Sequence, residues 1–155
     1  SAVAKATQRT FLGFAFWVAP GKAVRLRVSP KALGAMKDRV RQTTRRTRGR
    51  SLPQICADLR SYLGGWKEYF RLAETPRVFS DLDEWIRHRL RAVQLKQWKR
   101  GRTVYRELRA RGLSSLRAAQ VAANARSWWR NSAMAIHGAL PNSLFATLGV
   151  PRLGA

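Results

Sequence analysis

The stretch SLPQICADLRSYLGGWKEYF, residues 51–70, has the pattern of a capped amphipathic helix. Ser51 is a favoured N-cap residue, and Pro53 suits the first turn, where its missing N–H has no intrahelical partner to lose. The apolar side chains that follow recur at helical spacing and share one face: Ile55, Leu59, Tyr62, Leu63, Trp66 and Phe70. Gly64–Gly65 interrupts the helix at about 1 kcal/mol per glycine relative to alanine. We therefore expect close approach of a neighbouring helix there, or a hinge.

Helix signals continue on both sides of this stretch. Upstream, Ser29–Pro30 is an N-cap followed by proline at the first helical position. Downstream, Thr75–Pro76 is expected to end the helix that begins at Ser51, and a third helix is expected to open at residues 80–84 and to run to Gly101. Shorter helices are predicted beyond it, at 103–111, 115–124, 131–139 and 143–148.

The first 28 residues differ from the rest. FLGFAFWVA is strand-like, AVRLRV alternates apolar and charged residues, and Pro20–Gly21 between them is a turn pair. The first of these strands is apolar on both faces, so we expect it to belong to a larger sheet and, alone, to invite self-association. The predicted fold is mainly α: a short β-hairpin at 1–28, a three-helix bundle at 29–112 and a small helical C-terminal region at 113–155.

Charge narrows the range of partners. The chain has 31 Lys and Arg against 8 Asp and Glu, a formal net charge of +23 over 155 residues. Such self-repulsion indicates a polyanionic partner, either nucleic acid or an anionic membrane surface. No apolar run is long enough to span a membrane and no secretory leader opens the chain, so we expect a cytoplasmic protein without membrane contact. Nucleic acid is the favoured partner.

Few residues offer conventional catalytic or metal chemistry. Cys56 is the sole cysteine and is predicted to be a buried thiol, while His88 and His137 have no ligand-like neighbours. The one carboxylate cluster lies within residues 81–84 and comprises Asp81, Asp83 and Glu84. It could hold a divalent cation, but the first turn of a helix already favours acids through the macrodipole, and we prefer that interpretation. No active centre is predicted.

The basic segments carry the functional prediction. Residues 39–50 hold six arginines and no acid, and residues 87–117 hold eleven Lys or Arg against Glu107 alone. A solvated helix face usually mixes signs, whereas a run of one sign is typical of phosphate contact. The predicted RNA-binding residues are Lys37, Arg41, Arg45, Arg46, Arg48, Arg50, Arg91, Lys96, Trp98, Lys99, Arg100, Arg102 and Arg130. Trp98 either packs against the C-terminal helices or stacks on a base. Gly101 is predicted to be flexible, so that the backbone can follow a phosphate path.

Several sequence strings, in order along almost the whole chain, resemble one family: TFLGFAF, RLRVSPKAL, RRTRGRSL, LRSYLGGWKEYFRLAETP, LDEWIRHRLRAVQLKQWKRGRT and WWRNS…ALPNSLFATLGVPRL. They are similar to the C-terminal part of bacterial group II intron reverse transcriptases, also called intron-encoded maturases. The most specific element is YLxGWxxYF followed by the WIRxRLR…KQWKR helix.

The resemblance implies a role for each part of the chain. Phe11 to Phe16 match the end of the polymerase palm, and residues 29–112 match the thumb or maturase-specific domain, which grips intron RNA and the template–primer. The closing region resembles one that contacts target DNA in some members. The chain has no Cys pairs, so a zinc-bearing endonuclease domain is not implied.

The resemblance also implies what this chain lacks. The catalytic aspartates of the parent RNA-directed DNA polymerase, which needs Mg²⁺, lie upstream of Ser1. This chain alone is therefore expected to bind RNA, to need no cofactor and to synthesise no DNA. The alternative is a stand-alone basic helical structural RNA-binding protein. The two-faced strand near the N-terminus favours the first interpretation, because a stand-alone protein would need a sheet to receive it.

Overall fold

The computed structural model of the chain describes residues 10–21, 23–45, 49–133 and 135–154. Three strands precede seven helices in these ranges, and the mainly α fold with an N-terminal hairpin is confirmed. The elements are β1 (Thr10–Phe11), β2 (Phe14–Val18), β3 (Val24–Val28), α1 (Pro30–Thr43), α2 (Leu52–Tyr69), α3 (Pro76–Trp98), α4 (Gly101–Ala110), α5 (Ser115–Ala123), α6 (Trp128–Asn131) and α7 (Asn142–Thr147).

The sheet has three antiparallel strands in the order β1-β2-β3, where the sequence predicted a two-stranded hairpin. The FLGFAFWVA segment folds back on itself because Leu12 (φ 51°) and Gly13 (φ 85°) both adopt positive φ. Two consecutive positive φ values define a type I′ turn, whose twist suits an antiparallel pair. The β2–β3 register runs from Phe14 opposite Val28 to Val18 opposite Val24, as the predicted hairpin requires.

One face of the sheet packs on the helices, and part of the other side stays open. The Phe14 ring lies 5.1 Å from that of Phe70 and 5.9 Å from that of Tyr69, centroid to centroid. The outer edge of β3 is partly closed, since the Leu26 N–H donates to Glu74 Oε2 (3.3 Å) and the Glu74 N–H donates to the Leu26 carbonyl (2.9 Å). Large apolar side chains nevertheless remain exposed, namely Phe11, Leu12, Val18 and Val24. Self-association through this hairpin stays a prediction.

The predicted starts of α1 and α2 are confirmed atom by atom. Ser29 Oγ accepts the Ala32 N–H (3.1 Å) ahead of α1. Ahead of α2, Ser51 Oγ accepts the Gln54 N–H (3.4 Å) and Gln54 Oε1 accepts the Ser51 N–H (3.0 Å), forming a complete capping box. These reciprocal bonds satisfy backbone donors that would otherwise have no partner in the first turn.

The expected disturbance at Gly64–Gly65 is absent, and the prediction there was wrong. Helix α2 runs without a break from Leu52 to Tyr69. Both glycines are exposed, and a Cβ built on either one would meet nothing within 4 Å. Tertiary packing of the opposite face, including the fully buried Leu59 and Leu63, holds the helix together in spite of the two glycines.

Helix α3 begins at Pro76, one turn before the predicted start, because proline suits the first helical position. It is the central helix and buries residues around much of its circumference: Leu82, Asp83, Ile86, Arg87, Leu90, Arg91, Ala92, Val93 and Leu95. The early start means that Asp81, Asp83 and Glu84 are not in the first turn. The interpretation of these acids as first-turn residues is therefore corrected.

The C-terminal third wraps this central helix. Helices α4, α5 and α7 lie within one or two residues of their predicted bounds, but the predicted helix at 131–139 is replaced by the short α6 and turns. One apolar core extends from Val28 to Leu153 and takes in residues from all three predicted segments. In the described residues, no helix is both long enough and apolar enough to cross a bilayer.

Candidate nucleic-acid interface

Ion pairing leaves most of the positive charge unmatched. In the described part of the chain, seven arginines pair with six carboxylates within 4.0 Å: Arg25–Glu74, Arg41–Asp38, Arg50–Asp58, Arg71–Glu68, Arg87–Asp83, and Arg106 and Arg111 with Glu107. The other described Lys and Arg side chains have no carboxylate at this distance. Because unpaired like charges repel, they favour a polyanionic ligand.

Three cations converge on the indole of Trp85, and of these only Arg41 has a carboxylate partner among the described residues. The Lys37 ammonium and the Arg41 and Arg89 guanidinium groups lie 5.9, 5.4 and 5.6 Å from the ring centroid. Arg89 is held in place because its Nε–H donates to Thr44 Oγ1 (3.0 Å). Burial lowers the pKa of Arg89, and repulsion from Arg41 lowers it further. The indole thus gathers charge from α1 and α3 on one surface, which we call the Trp85 patch.

The sequence predicted Lys37 and Arg41 at this patch but missed Trp85 and Arg89. Trp85 lies at helical spacing among the apolar residues of α3, so its pattern predicts a core side chain, yet it is only half-buried. The signal that could have found the pair is the Trp85-to-Arg89 spacing of four, which places the two side chains on one helix face.

The other cations predicted between α1 and α2 have different surroundings. Arg45 is exposed after the end of α1. Arg50 is less free than expected, since its Nη2–H donates to Asp58 Oδ1 (2.9 Å) and its carbonyl accepts the Gln97 side-chain N–H (2.7 Å). Arg46 and Arg48 lie outside the described residues.

The junction between α3 and α4 is a sharp, strained turn. Lys99 has φ 60° and ψ −65°, and the Arg100 N–H donates to the Trp98 carbonyl at 2.7 Å. These angles and this bond define a classic-type γ-turn, which is rare for a residue with a side chain. Lys99, Arg100 and Arg102 are all exposed there and, within the described residues, have no carboxylate partner. We call these three residues the junction cluster.

Gly101 has a packing role in this turn, and its predicted flexibility is corrected. It is the first residue of α4, and a Cβ at this position would lie 2.7 Å from the Ala122 carbonyl oxygen on α5. The glycine is therefore required by the close approach of the two helices. This contact fixes the backbone beside the junction cluster.

Lys96 and Trp98 each take part in a cation–π contact. The Lys96 ammonium lies 5.0 Å from the Trp128 ring centroid, and the Arg111 guanidinium lies 4.9 Å from that of Trp98. Trp98 is half-buried against the apolar core. Trp98 thus has a packing contact within the helical domain, and base stacking by its ring stays a prediction.

Arg91 lies inside the protein, and its placement at the RNA surface is corrected. Its Nε–H donates to the Leu140 carbonyl (2.8 Å), its Nη2–H donates to Asn142 Oδ1 (2.8 Å), and its guanidinium lies 5.3 Å from the centroid of the Phe145 ring. Burial, with a smaller effect of Arg87, lowers its pKa to about 10. Arg91 remains charged near neutral pH and holds the 140–145 segment against α3.

Asp83 has a similar structural role at the other end of α3. Its Oδ1 accepts the Leu153 N–H (2.8 Å), its Oδ2 accepts the Gly154 N–H (2.9 Å), and Arg87 Nη1 lies 3.4 Å from Oδ1. Both side chains of this ion pair are almost fully buried. We call Asp83, Arg87 and the 153–154 backbone the C-terminal clasp.

Cys56 and His88 are two of the remaining side chains with potential chemistry that the sequence singled out. Cys56 is buried and free, and burial raises the pKa of its thiol to about 12, so it is not a reactive thiolate. His88 stacks on Trp129 at 3.6 Å between ring centroids and contacts the carbonyl of that residue. Among the described residues, no group of three or more His, Cys, Asp or Glu side chains could hold a metal ion.

Arg130 is exposed on α6, and its side chain makes no hydrogen bond or ion pair with the described residues. It lies far along the chain from the Trp85 patch and the junction cluster. Arg130 thus stays a predicted RNA-binding residue with a free side chain on α6.

Comparison with known proteins yields one family. The family "Group II intron, maturase-specific domain" matches residues 33–112, which include α2, α3, α4 and most of α1. The match covers the Trp85 patch and the junction cluster. No curated protein matches the chain.

Proposed function

Because this chain belongs to the group II intron maturase-specific domain family, a role in group II intron splicing follows, and we propose that it acts by binding intron RNA. The RNA-facing surfaces are the Trp85 patch and the junction cluster. Both lie inside the family match, and both consist of cations held in place by packing or backbone geometry.

The observation that carries this proposal is the junction cluster. Lys99, Arg100 and Arg102 are exposed and have no carboxylate within 4.0 Å among the described residues, while the γ-turn and the Gly101 contact fix the backbone beneath them. Cations that are arranged before binding lose less conformational freedom when they meet phosphates. Strained backbone of this kind is retained where the surrounding structure enforces it, often at functional positions.

The template–primer duplex and target DNA are further proposed ligands. They share the phosphate chemistry of intron RNA, so the same cations would serve them. Family membership favours this whole interpretation over a stand-alone structural RNA-binding protein, for which no specific feature speaks.

Replacing Lys96, Lys99, Arg100 and Arg102 together with alanine should weaken binding to structured intron RNA by roughly 10- to 100-fold at moderate salt, because up to four phosphate contacts are lost. The control is alanine at Arg25 and Arg27 on β3, where Arg25 already lies 3.8 Å from Glu74. Filter binding at one salt concentration compares the two variants per charge removed. Equal losses of RNA affinity per charge removed would show that binding depends on overall charge alone and that these four residues have no special role.

We also expect the chain alone to give no primer extension with Mg²⁺. Polymerase chemistry uses two divalent ions that lie about 4 Å apart and are held by carboxylates. Here both oxygens of Asp83 already accept N–H donors, and Asp81 and Glu84 are exposed side chains on the same helix. The measurement is template-dependent extension by the purified chain, with an Asp81→Asn, Glu84→Gln variant as control. Product that disappears in the variant would contradict the expectation and place an active site on α3.

A further inference from the structure

A polar cleft opens between α5 and α6, outside the family match. Its volume is about 550 Å³, within the roughly 300–1,000 Å³ typical of pockets for small organic ligands. The cleft is lined by Arg117, Gln120, Val121, Asn124, Ser127, Arg130, Asn131 and Ala135.

The polar groups that line this cleft are cationic or neutral. It presents two guanidinium groups, three carboxamides and one hydroxyl, and it includes no carboxylate. Among the described residues, the side chains of Arg117, Gln120, Asn124 and Arg130 make no hydrogen bond or ion pair. These donors and acceptors are therefore available to a ligand.

The wall of the cleft is fixed by its own hydrogen bonds. The Asn131 side-chain N–H and the Ser127 N–H both donate to the Asn124 carbonyl, at 3.0 and 2.9 Å. Val121 is buried, 2% exposed, and forms an apolar part of the lining. These two bonds tie the loop between the two helices to Asn124, at the base of the cleft.

We propose that this cleft binds one unpaired nucleotide of a nucleic-acid strand, which extends the proposed RNA binding and rests on it. Arg117 and Arg130 would hold the phosphate, because a guanidinium group can donate two parallel N–H bonds to two phosphate oxygens. Gln120 and Asn124 would contact the base edge, since a carboxamide offers one donor and one acceptor side by side. This pairing matches adenine best, through its N6 and N7 atoms.

A base inside a duplex does not suit the cleft. The stack prevents it from entering a concave site, whereas unpaired bases can turn outward. A simple anion would use the arginines but would leave the carboxamides unused. The combination of free amides with free guanidinium groups is what points to a nucleotide.

The test measures fluorescence anisotropy of labelled five-nucleotide strands, oligo(A) and oligo(U), in ribose and deoxyribose forms. The variants are Arg117→Gln, Arg130→Gln and Gln120→Leu in the full chain. Each arginine variant should weaken oligo(A) binding roughly fivefold at moderate salt, through loss of one phosphate contact. Gln120→Leu should reduce the preference for oligo(A) over oligo(U). Tighter binding of the ribose or the deoxyribose form identifies RNA or DNA as the source of the nucleotide.

The matched control is Arg126→Gln, which removes the same charge from the loop between α5 and α6, at an exposed residue that does not line the cleft. It should change affinity less than twofold. All substituted residues are exposed, so thermal unfolding followed by circular dichroism should be unchanged in each variant. An equal loss in the Arg126 variant, or displacement of oligo(A) by inorganic phosphate as readily as by adenosine monophosphate, would overturn the proposal.

Failure of this inference can be distinguished from failure of the proposed function. If the unmodified chain binds structured intron RNA while Arg117→Gln and Arg130→Gln leave oligo(A) binding intact, the cleft is not a nucleotide site and the proposed function stands. If the unmodified chain binds neither structured RNA nor oligo(A), both proposals fall.

Discussion

Replacing Asp83 with alanine is expected to lower the free energy of unfolding by about 3–5 kcal/mol, because it leaves the buried Arg87 without its partner. The same change removes the acceptor for the Leu153 and Gly154 N–H groups, which lie 2.8 and 2.9 Å from the carboxylate oxygens. Native domains are typically stable by only about 5–15 kcal/mol, so this loss would be a large fraction of the total.

Equilibrium urea unfolding, followed by tryptophan fluorescence and circular dichroism, measures this loss. The control is Asp81→Ala, which removes an acid two residues away that is exposed and forms no ion pair with the described residues. We expect the control to change stability by less than about 0.5 kcal/mol, as is usual for surface substitutions. If the free energy of unfolding falls by the same small amount in both variants, the C-terminal clasp does not stabilise the fold.

Binding of structured intron RNA is expected to weaken by roughly 250- to 1,000-fold when monovalent salt rises from about 50 to 200 mM. If about six phosphates are neutralised, the logarithm of affinity falls against the logarithm of salt concentration with a slope of roughly −4 to −5. The physical reason is the release of condensed counterions by the unpaired cations, which predominate in a chain of net charge +23.

A filter-binding titration over several salt concentrations gives this slope. The variant with alanine at Lys96, Lys99, Arg100 and Arg102 is a useful comparison, since each lost phosphate contact should reduce the slope by about one. A slope near zero for the unmodified chain would contradict electrostatic RNA binding. An unchanged slope in the variant would place the contacts elsewhere on the surface.

Local signals in the sequence predicted the starts of α1 and α2 correctly. An N-cap depends on a hydrogen bond between residues three positions apart, as in the Ser29–Ala32 and Ser51–Gln54 pairs. Such a bond needs no information from the rest of the chain. The helix predicted at 131–139 is the opposite case, because its apolar spacing did not show that the helix here would be Trp128–Asn131 instead.

Which arginines are buried and which are exposed could not be predicted in the same way. Arg91 and Arg102 are both cations in a basic segment, yet Arg91 is 3% exposed and Arg102 is exposed. The difference comes from Leu140 and Asn142, which lie about fifty residues further along the chain and supply acceptors for Arg91. A periodicity argument applied to α3 alone contains no information about them.

The sequence by itself determined the mainly α class, the two helix caps, the buried Cys56 and the excess of cations that calls for a polyanionic partner. Each depends on local spacing or on composition, which tertiary contacts do not change. Only the tertiary structure decided that Asp83 clasps the 153–154 backbone, that Gly101 is required by the Ala122 carbonyl, and that Trp85 gathers cations from two helices. These outcomes depend on groups that are distant in sequence. The free energy of burying a charge, or of packing a backbone closely at a glycine, is set by the atoms that the tertiary fold places next to it.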